Sequence, residues 1–109
     1  MKPLRWLGDS REIVSGFPLL ARQRSGYELF LVRRGDDPDD WKPVAAAGLG
    51  VREIRIHVGR EYRVLYVAKF AEAVYVLSAF EKKTHRTPQA EIELAAGRFR
   101  ALVEKRRHR

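Results

Sequence analysis

The chain has 109 residues and a mass of 12.6 kDa, so we expect residues 1–109 to form one domain rather than two. It has no cysteine, which excludes disulfides and thiolate metal sites, and no apolar run long enough for a transmembrane helix. Its net charge of +8 favours polyanionic partners such as nucleic acid. The first residues lack the apolar core of a signal peptide, so a cytoplasmic protein is expected.

The first third of the chain is predicted to be mainly helical. Pro3 to Leu7 is typical of a short strand, and Asp9 with Glu12 has the form of a capping box that begins a short helix. A second helix is predicted from Pro18 to about Arg34, and Gly35 would end it. The predicted apolar face of this helix consists of Leu20, Tyr27, Phe30 and Leu31.

A loop region is predicted in the middle of the chain. The acidic run Asp36 to Asp40 favours a turn, and Trp41-Lys42-Pro43 follows it. The small residues from Val44 to Gly50 then indicate a loop with one helical turn.

The remainder is predicted to be a sheet followed by a helix. Apolar and polar residues alternate from Val51 to Val58, and Tyr62 to Lys69 and Ala73 to Phe80 complete a predicted three-stranded antiparallel meander. Thr87-Pro88 opens a C-terminal helix whose last turn is basic, from Lys105 to Arg109.

The register of the predicted hairpin decides which face two strand arginines occupy. With Gly59-Arg60 as a two-residue loop, Ile56 lies opposite Arg63, and Arg55 and Arg63 point to opposite faces. A shift of one residue would place both arginines on the same face. The sequence leaves these two registers open.

Arg63 is unusual because it lies inside an apolar strand, where its guanidinium needs a polar partner. One interpretation pairs it with an acid such as Glu53 or Glu81. The other interpretation is an anion-binding site.

The segment from Phe80 to Thr87 is a candidate phosphate site. Lys82, Lys83, His85 and Arg86 follow a strand and precede a helix N-terminus, whose N–H groups add positive potential. A solvated charged loop is the alternative. Metal and nucleotide cofactors are not expected, because no spacing of His, Asp and Glu fits a metal site and no glycine-rich run fits a nucleotide.

Five segments of the chain together carry a resemblance to a known family. They are Val51-Arg52-Glu53-Ile54-Arg55, Tyr62-Arg63-Val64-Leu65-Tyr66, Phe80-Glu81-Lys82-Lys83-Thr84, Thr87-Pro88 and Glu91 to Ala95. Together they resemble the HigB-like, phage-derived branch of the RelE/ParE toxin superfamily, and the resemblance extends from Trp6 to Phe99. It implies an α+β, RelE-like fold in which helices pack on one side of a small twisted antiparallel sheet, with a C-terminal helix.

The resemblance also implies an activity. Members typically cut mRNA on the ribosome, so it implies an endoribonuclease without metal or cofactor, in which the ribose 2′-hydroxyl attacks the adjacent phosphate. The implied catalytic residues are Arg63, Lys82 and Arg55, and the implied RNA-phosphate ligands are Lys83, His85, Arg86 and Lys42. The general acid and general base stay unassigned. Ser78 stands where relatives often carry a histidine, which argues against a mechanism based on that histidine.

A toxin implies a partner, here a helix-turn-helix antitoxin of the HigA type whose acidic or apolar segment would cover the basic surface. No membrane partner is implied. Two alternatives stay open: a ParE-like toxin that inhibits DNA gyrase, and a noncatalytic nucleic-acid-binding module. In the second, Tyr62, Tyr66 and Tyr75 would stack on bases, although strand tyrosines are more often core residues.

Overall fold

The protein folds into a five-stranded mixed sheet with helices on both faces, in a computed structural model that describes residues 1–108. The strands are β1 (Leu4–Trp6), β2 (Trp41–Pro43), β3 (Val51–Val58), β4 (Arg60–Val67) and β5 (Val74–Lys82). The helices are α1 (Ser10–Ser15), α2 (Leu19–Arg33) and α3 (Gln89–Arg107), with a 3-10 turn at Ala45–Ala47. The strand order is β1-β5-β4-β3-β2.

The α+β class and the β3-β4-β5 meander confirm the sequence prediction, but the sheet is larger than predicted and is not purely antiparallel. The predicted short strand within Pro3 to Leu7 is confirmed as β1, which lies parallel to β5, with Leu4 opposite Val74. β2 was predicted only as a lead into a loop, yet it pairs antiparallel with β3, with Trp41 opposite Ile54. Both added strands have three residues and lie at the edges, where pairing with a longer neighbour decides their conformation.

The expectation that the helices pack on one side of the sheet is wrong. Side chains alternate along β4, so that Val64 and Tyr66 join one apolar cluster and Leu65 and Val67 join another. α1 and α2 cover the first cluster, and α3 covers the second. The sheet is therefore buried on both faces, which explains why β4 and β5 are almost continuously apolar.

The predicted apolar face of α2 is mostly its exposed face. Leu20, Tyr27 and Phe30 are exposed, and of the predicted set Leu31 alone is buried. The face that packs on the sheet consists instead of Ala21, Ser25, Glu28, Leu29, Leu31 and Val32. Because α2 carries apolar residues on two sides, its periodicity did not determine which side faces the core.

The predicted capping box at α1 is not formed, although the helix begins where expected. Asp9 occupies the N-cap position without a capping side-chain hydrogen bond. Its carboxylate instead accepts a hydrogen bond from Arg98 of α3 at 2.8 Å. A charged partner from a distant helix therefore replaces the local backbone partner.

The C-terminal helix confirms the predicted pattern. α3 buries Ala95, Phe99 and Leu102, and its last turn carries Lys105, Arg106 and Arg107. Arg109, the last residue of the predicted basic turn, lies outside the described residues. Among residues 1–108, no helix is long and apolar enough to cross a membrane.

Candidate functional site

The register of β3 and β4 gathers charged side chains on the α3 face of the sheet. Gly59, with φ +73°, is the only residue between the paired Val58 and Arg60, so Arg55 lies directly opposite Arg63. The register with Gly59-Arg60 as the loop is therefore wrong by one residue, and the shifted alternative is correct. Both arginines share one face of the sheet, as directly opposed residues do.

Arg63 is buried and is held by two carboxylates. Its Nε lies 3.0 Å from Oε1 of Glu53, and its Nη2 donates to Oε1 of Glu61 at 3.0 Å. Its Nη1 donates to the carbonyl of Tyr62 at 2.9 Å. The contact with Glu53 is an ion pair and not an aligned hydrogen bond, since the Nε–H has no hydrogen-bond acceptor. This confirms the interpretation that an acid such as Glu53 neutralises the strand arginine.

The acids also explain how two arginines can lie opposite each other. Like charges directly across a pair of strands are destabilising. Glu53 precedes Arg55 by two residues and Glu61 precedes Arg63 by two, so all four side chains lie on the same face. The arginines are therefore interleaved with carboxylates, which offset their repulsion.

Glu53 lies at the floor of a cationic cleft of about 400 Å³. Its side chain is only 1% exposed, and the hydroxyl of Thr87 lies 3.3 Å from both carboxylate oxygens. Nζ of Lys42 lies 4.0 Å from Oε2. The walls include Lys42 from β2 and His85, Arg86 and Thr87 from the loop before α3. A buried carboxylate and several cations thus surround one solvent-accessible space.

The structure brings Lys42, His85 and Arg86 together in this cleft, as three of the predicted phosphate ligands. Lys83 is exposed and does not line it. Lys82 lies opposite Glu61, on the same face as Arg63, but its ammonium donates to the carbonyl of His85 at 2.7 Å. Lys82 therefore anchors the loop that carries His85 and Arg86 to the end of β5.

Arg55 lines a separate cleft of about 300 Å³, together with Asp40 and His57. The arginines that the sequence proposed as a pair are neighbours on the sheet, yet only Arg63 contacts the carboxylate at the floor of the first cleft. The predicted site residues thus fall into two adjacent groups.

His57 connects these two groups. Its Nε2 contacts Oδ2 of Asp40 at 2.6 Å, and its Nδ1 contacts Glu61 Oε1 at 2.7 Å, which in turn accepts from Arg63. The hydrogen bonds to Asp40 and Glu61 raise the pKa of His57. The hydrogen bond with His57, followed by that with Arg63, lowers the pKa of Glu61. A continuous chain of charged groups therefore runs from Asp40 to Glu53.

Sequence reasoning missed Glu53, Glu61 and His57 as members of the site. Glu53 was considered only as a salt-bridge partner, yet it is an acid on a strand face next to the buried Val51, Ile54 and Ile56. The sequence signal that could have revealed it is an acid and an arginine that both lie among apolar residues in the two strands of one predicted hairpin. Among residues 1–108, no group of His, Asp and Glu is arranged to hold a metal ion.

The tyrosines considered for base stacking are core residues. Tyr62 and Tyr66 belong to the cluster under α1 and α2, and Tyr75 belongs to the cluster under α3, where its hydroxyl donates to Glu72. Their rings are therefore inaccessible to nucleic-acid bases.

Comparison with known proteins gives one family. The family described as "Phage derived protein Gp49-like (DUF891)" matches residues 12–100, which include the whole charged chain and the cationic cleft. No curated protein is found to match the chain. The match covers well over half of the sequence, and the chain therefore belongs to the phage-derived Gp49-like family, a family of RelE/HigB-like toxins.

Proposed function

We propose that this chain is the toxin of a type II toxin–antitoxin module and that it cleaves mRNA on the ribosome, in the cytoplasm. The observation that carries the proposal is the Glu53 carboxylate at the floor of a cleft lined by Lys42, His85 and Arg86. Cations that hold a phosphodiester beside a carboxylate that accepts a proton are what metal-free cleavage of RNA requires.

The reaction begins with proton transfer from the ribose 2′-hydroxyl to Glu53. The 2′-oxygen then forms a bond to the adjacent phosphorus while the bond from phosphorus to the 5′-oxygen breaks. The leaving 5′-oxygen takes a proton from the imidazole of His85 in the loop that lines the cleft. The products are a 2′,3′-cyclic phosphate and a 5′-hydroxyl, and no metal ion takes part in this scheme.

Charge stabilisation in this scheme falls to Lys42 and Arg86. Arg63 is buried, is paired with Glu53 and Glu61 and does not line the cleft, so in this scheme it positions the Glu53 carboxylate. Arg86 and Lys42 enter from the two walls of the cleft and would hold the phosphate oxygens. Lys82 acts as a positioning residue, because it ties down the loop that carries His85 and Arg86.

The test is induction of the chain in bacteria followed by mapping of transcript 5′ ends, with the purified protein assayed on translating ribosomes. We expect cuts within translated codons. Glu53→Gln, Lys42→Ala and Arg86→Ala should each lower the cleavage rate by about 10²-fold or more. Arg100→Ala, an exposed arginine on α3 outside the cleft, is the matched control and should cleave as the unaltered chain does.

Three other outcomes would contradict the proposal. Growth arrest with intact transcripts and altered DNA supercoiling would indicate a gyrase inhibitor. RNA binding without cleavage would indicate a noncatalytic module. An equal loss of RNA cleavage in Arg100→Ala and Arg86→Ala would show that the activity depends on general positive charge and not on the cleft.

A further inference from the structure

A stripe of large apolar side chains lies exposed along α2. Of the seven large apolar residues that are exposed among residues 1–108, four lie on this helix: Leu19, Leu20, Tyr27 and Phe30. Leu20 is 63% exposed, and the two aromatic residues are 48% and 40% exposed. Single exposed apolar residues are common on proteins, but four on one helix are a feature of interaction surfaces.

The spacing of this stripe matches that of a helix–helix seam. Leu20, Gln23, Tyr27, Phe30 and Arg34 follow one another at alternating intervals of three and four residues. This is the spacing at which one helix presents a straight seam to another helix. Gly26 adjoins the stripe, and a Cβ there would meet open space, so a partner backbone can approach closely. The surface therefore fits a second helix better than an extended peptide.

The exposed charged residues of α2 itself are arginines, and the loop after the helix supplies acids to two of the arginines at the stripe: Arg24 pairs with Asp39 and Arg34 with Asp36, both at 2.6 Å. Arg22 and Arg24 flank it and Arg34 ends it, whereas Glu28, the one acid in α2, is buried on the opposite side. Arg24 lies over the ring of Tyr27 at 5.5 Å, and Arg34 lies over the ring of Phe30 at 5.4 Å. A second copy of the chain would bring these arginines against each other with a net charge of +8 on each molecule. Charge complementarity favours an acidic partner.

We propose that this α2 stripe is the docking site for an amphipathic helix with acidic flanks on a partner protein. The identification of that partner as the antitoxin rests on the proposed function, whereas the docking chemistry does not. α2 covers the face of the sheet opposite to Glu53 and Arg63, and its Arg24 and Glu28 line only the second cleft, that of Arg55. The partner helix therefore docks away from the Glu53 cleft and leaves that cleft uncovered.

The test uses two synthetic helical peptides of four heptads with Leu at the seam positions. One peptide carries Glu on both flanks of the seam, and the other carries Lys at the same positions. We expect the Glu peptide to bind the full chain at least about tenfold more tightly than the Lys peptide, as measured by calorimetry. NMR shift changes on binding should fall on α2.

The matched variants are Leu20→Asp and Leu94→Asp, which place the same substitution on an exposed leucine of α2 and of α3. Leu20→Asp should weaken binding of the Glu peptide by at least about tenfold, and Leu94→Asp should leave it unchanged. Circular dichroism checks that both variants are folded. Leu20→Asp should cleave RNA normally, because Leu20 does not line the cleft.

Each remaining outcome overturns the inference. Failure of both peptides to bind, or equal binding of the two, would show that the stripe is not a docking site of this charge. A dimer of the chain alone that Leu20→Asp dissociates would show that the occupant is a second copy. Peptide binding is read independently of RNA cleavage, so loss of the proposed function alone leaves the docking result intact.

Discussion

The face of the sheet under α1 and α2 is lined by apolar side chains, among them Ile54, Ile56 and Val64. The face under α3 is divided, because Leu65 and Leu77 join an apolar cluster whereas Glu53 and Arg63 form a buried ion pair. Both faces use the same strands and the same alternation of side chains. They differ in how far their helices reach, since α3 contacts β5 and the 3-10 turn and leaves the charged part of β3 and β4 beside a cleft.

This difference indicates where stability and function separate on the molecule. Replacing a buried ion pair with apolar residues of similar volume is often neutral or stabilising. A buried ion pair therefore stabilises the fold no more than an apolar pair in its place would. The apolar face stabilises the fold. The divided face carries buried charges beside the cleft that we propose as the site for an RNA phosphate. Variants on the two faces test that separation.

The largest effect is expected from breaking the buried ion pair. Arg63→Ala or Glu53→Ala leaves a buried charge without its partner and should lower the free energy of unfolding by about 3–5 kcal/mol in urea titration. The double variant Glu53→Leu/Arg63→Met removes both charges and should recover most of that loss. It should still lack RNA cleavage. A double variant as unstable as the single ones would show that the pair itself holds the fold.

A large effect without loss of chemistry is expected on the other face. Ile56 is 1% exposed in the cluster under α2, and Ile56→Ala should lower the free energy of unfolding by about 3 kcal/mol. Cleavage per folded molecule should be unchanged below the melting temperature. A loss of activity greater than the loss of folded protein would contradict the separation of the two faces.

A smaller effect that depends on pH is expected at His57. Its pKa is raised by Asp40 and Glu61, so its contribution is complete below the unfolded-state pKa of about 6.5 and is lost as pH rises through the raised value. Since the side chain is about half exposed, His57→Gln should lower the free energy of unfolding by only about 0.5–1 kcal/mol at pH 5.5. The difference from the unaltered chain should shrink in alkaline buffer. A constant difference across pH would exclude the ion pairs as its source.

An effect of similar size and opposite sign is a gain in stability on α3. A Cβ at Gly97 would meet only Arg100 Nη2, at 3.9 Å, so Gly97→Ala should raise the free energy of unfolding by about 0.5–1 kcal/mol. Gly48→Ala is the contrasting control, because that residue has φ +144° and its Cβ would collide with the Phe99 ring. Thermal melts of both variants should move in opposite directions.

Local residue preferences predicted most of the elements. Pro18 and Gly35 mark the ends of α2, the alternation from Val51 marks β3, and Thr87-Pro88 precedes α3. Of the two short edge strands, β1 was predicted and β2 was not, because the three residues of Trp41–Pro43 carry too little pattern of their own. Their conformation depends on hydrogen bonds from β5 and β3, which lie far away or across a loop in the chain.

The candidate site was predicted only in part. The sequence proposed Lys42, His85 and Arg86, and the structure brings these three to one cleft. The sequence offered Glu53 only as a partner for Arg63 and missed its place at the floor of the cleft. Its burial becomes visible only when Thr87 and Arg63 are seen beside it.

The sequence by itself determined the size, the positive charge, the order of the longer elements and the resemblance that the family match supports. These follow from composition and short-range periodicity. Only the tertiary structure decided the register at Gly59, the side of α2 that faces the core, and the pairing of Arg63 with Glu53. These features depend on contacts between segments that are distant in the chain. A one-residue shift of a strand, or a rotation of one helix, exchanges buried for exposed side chains and changes the local backbone energy little.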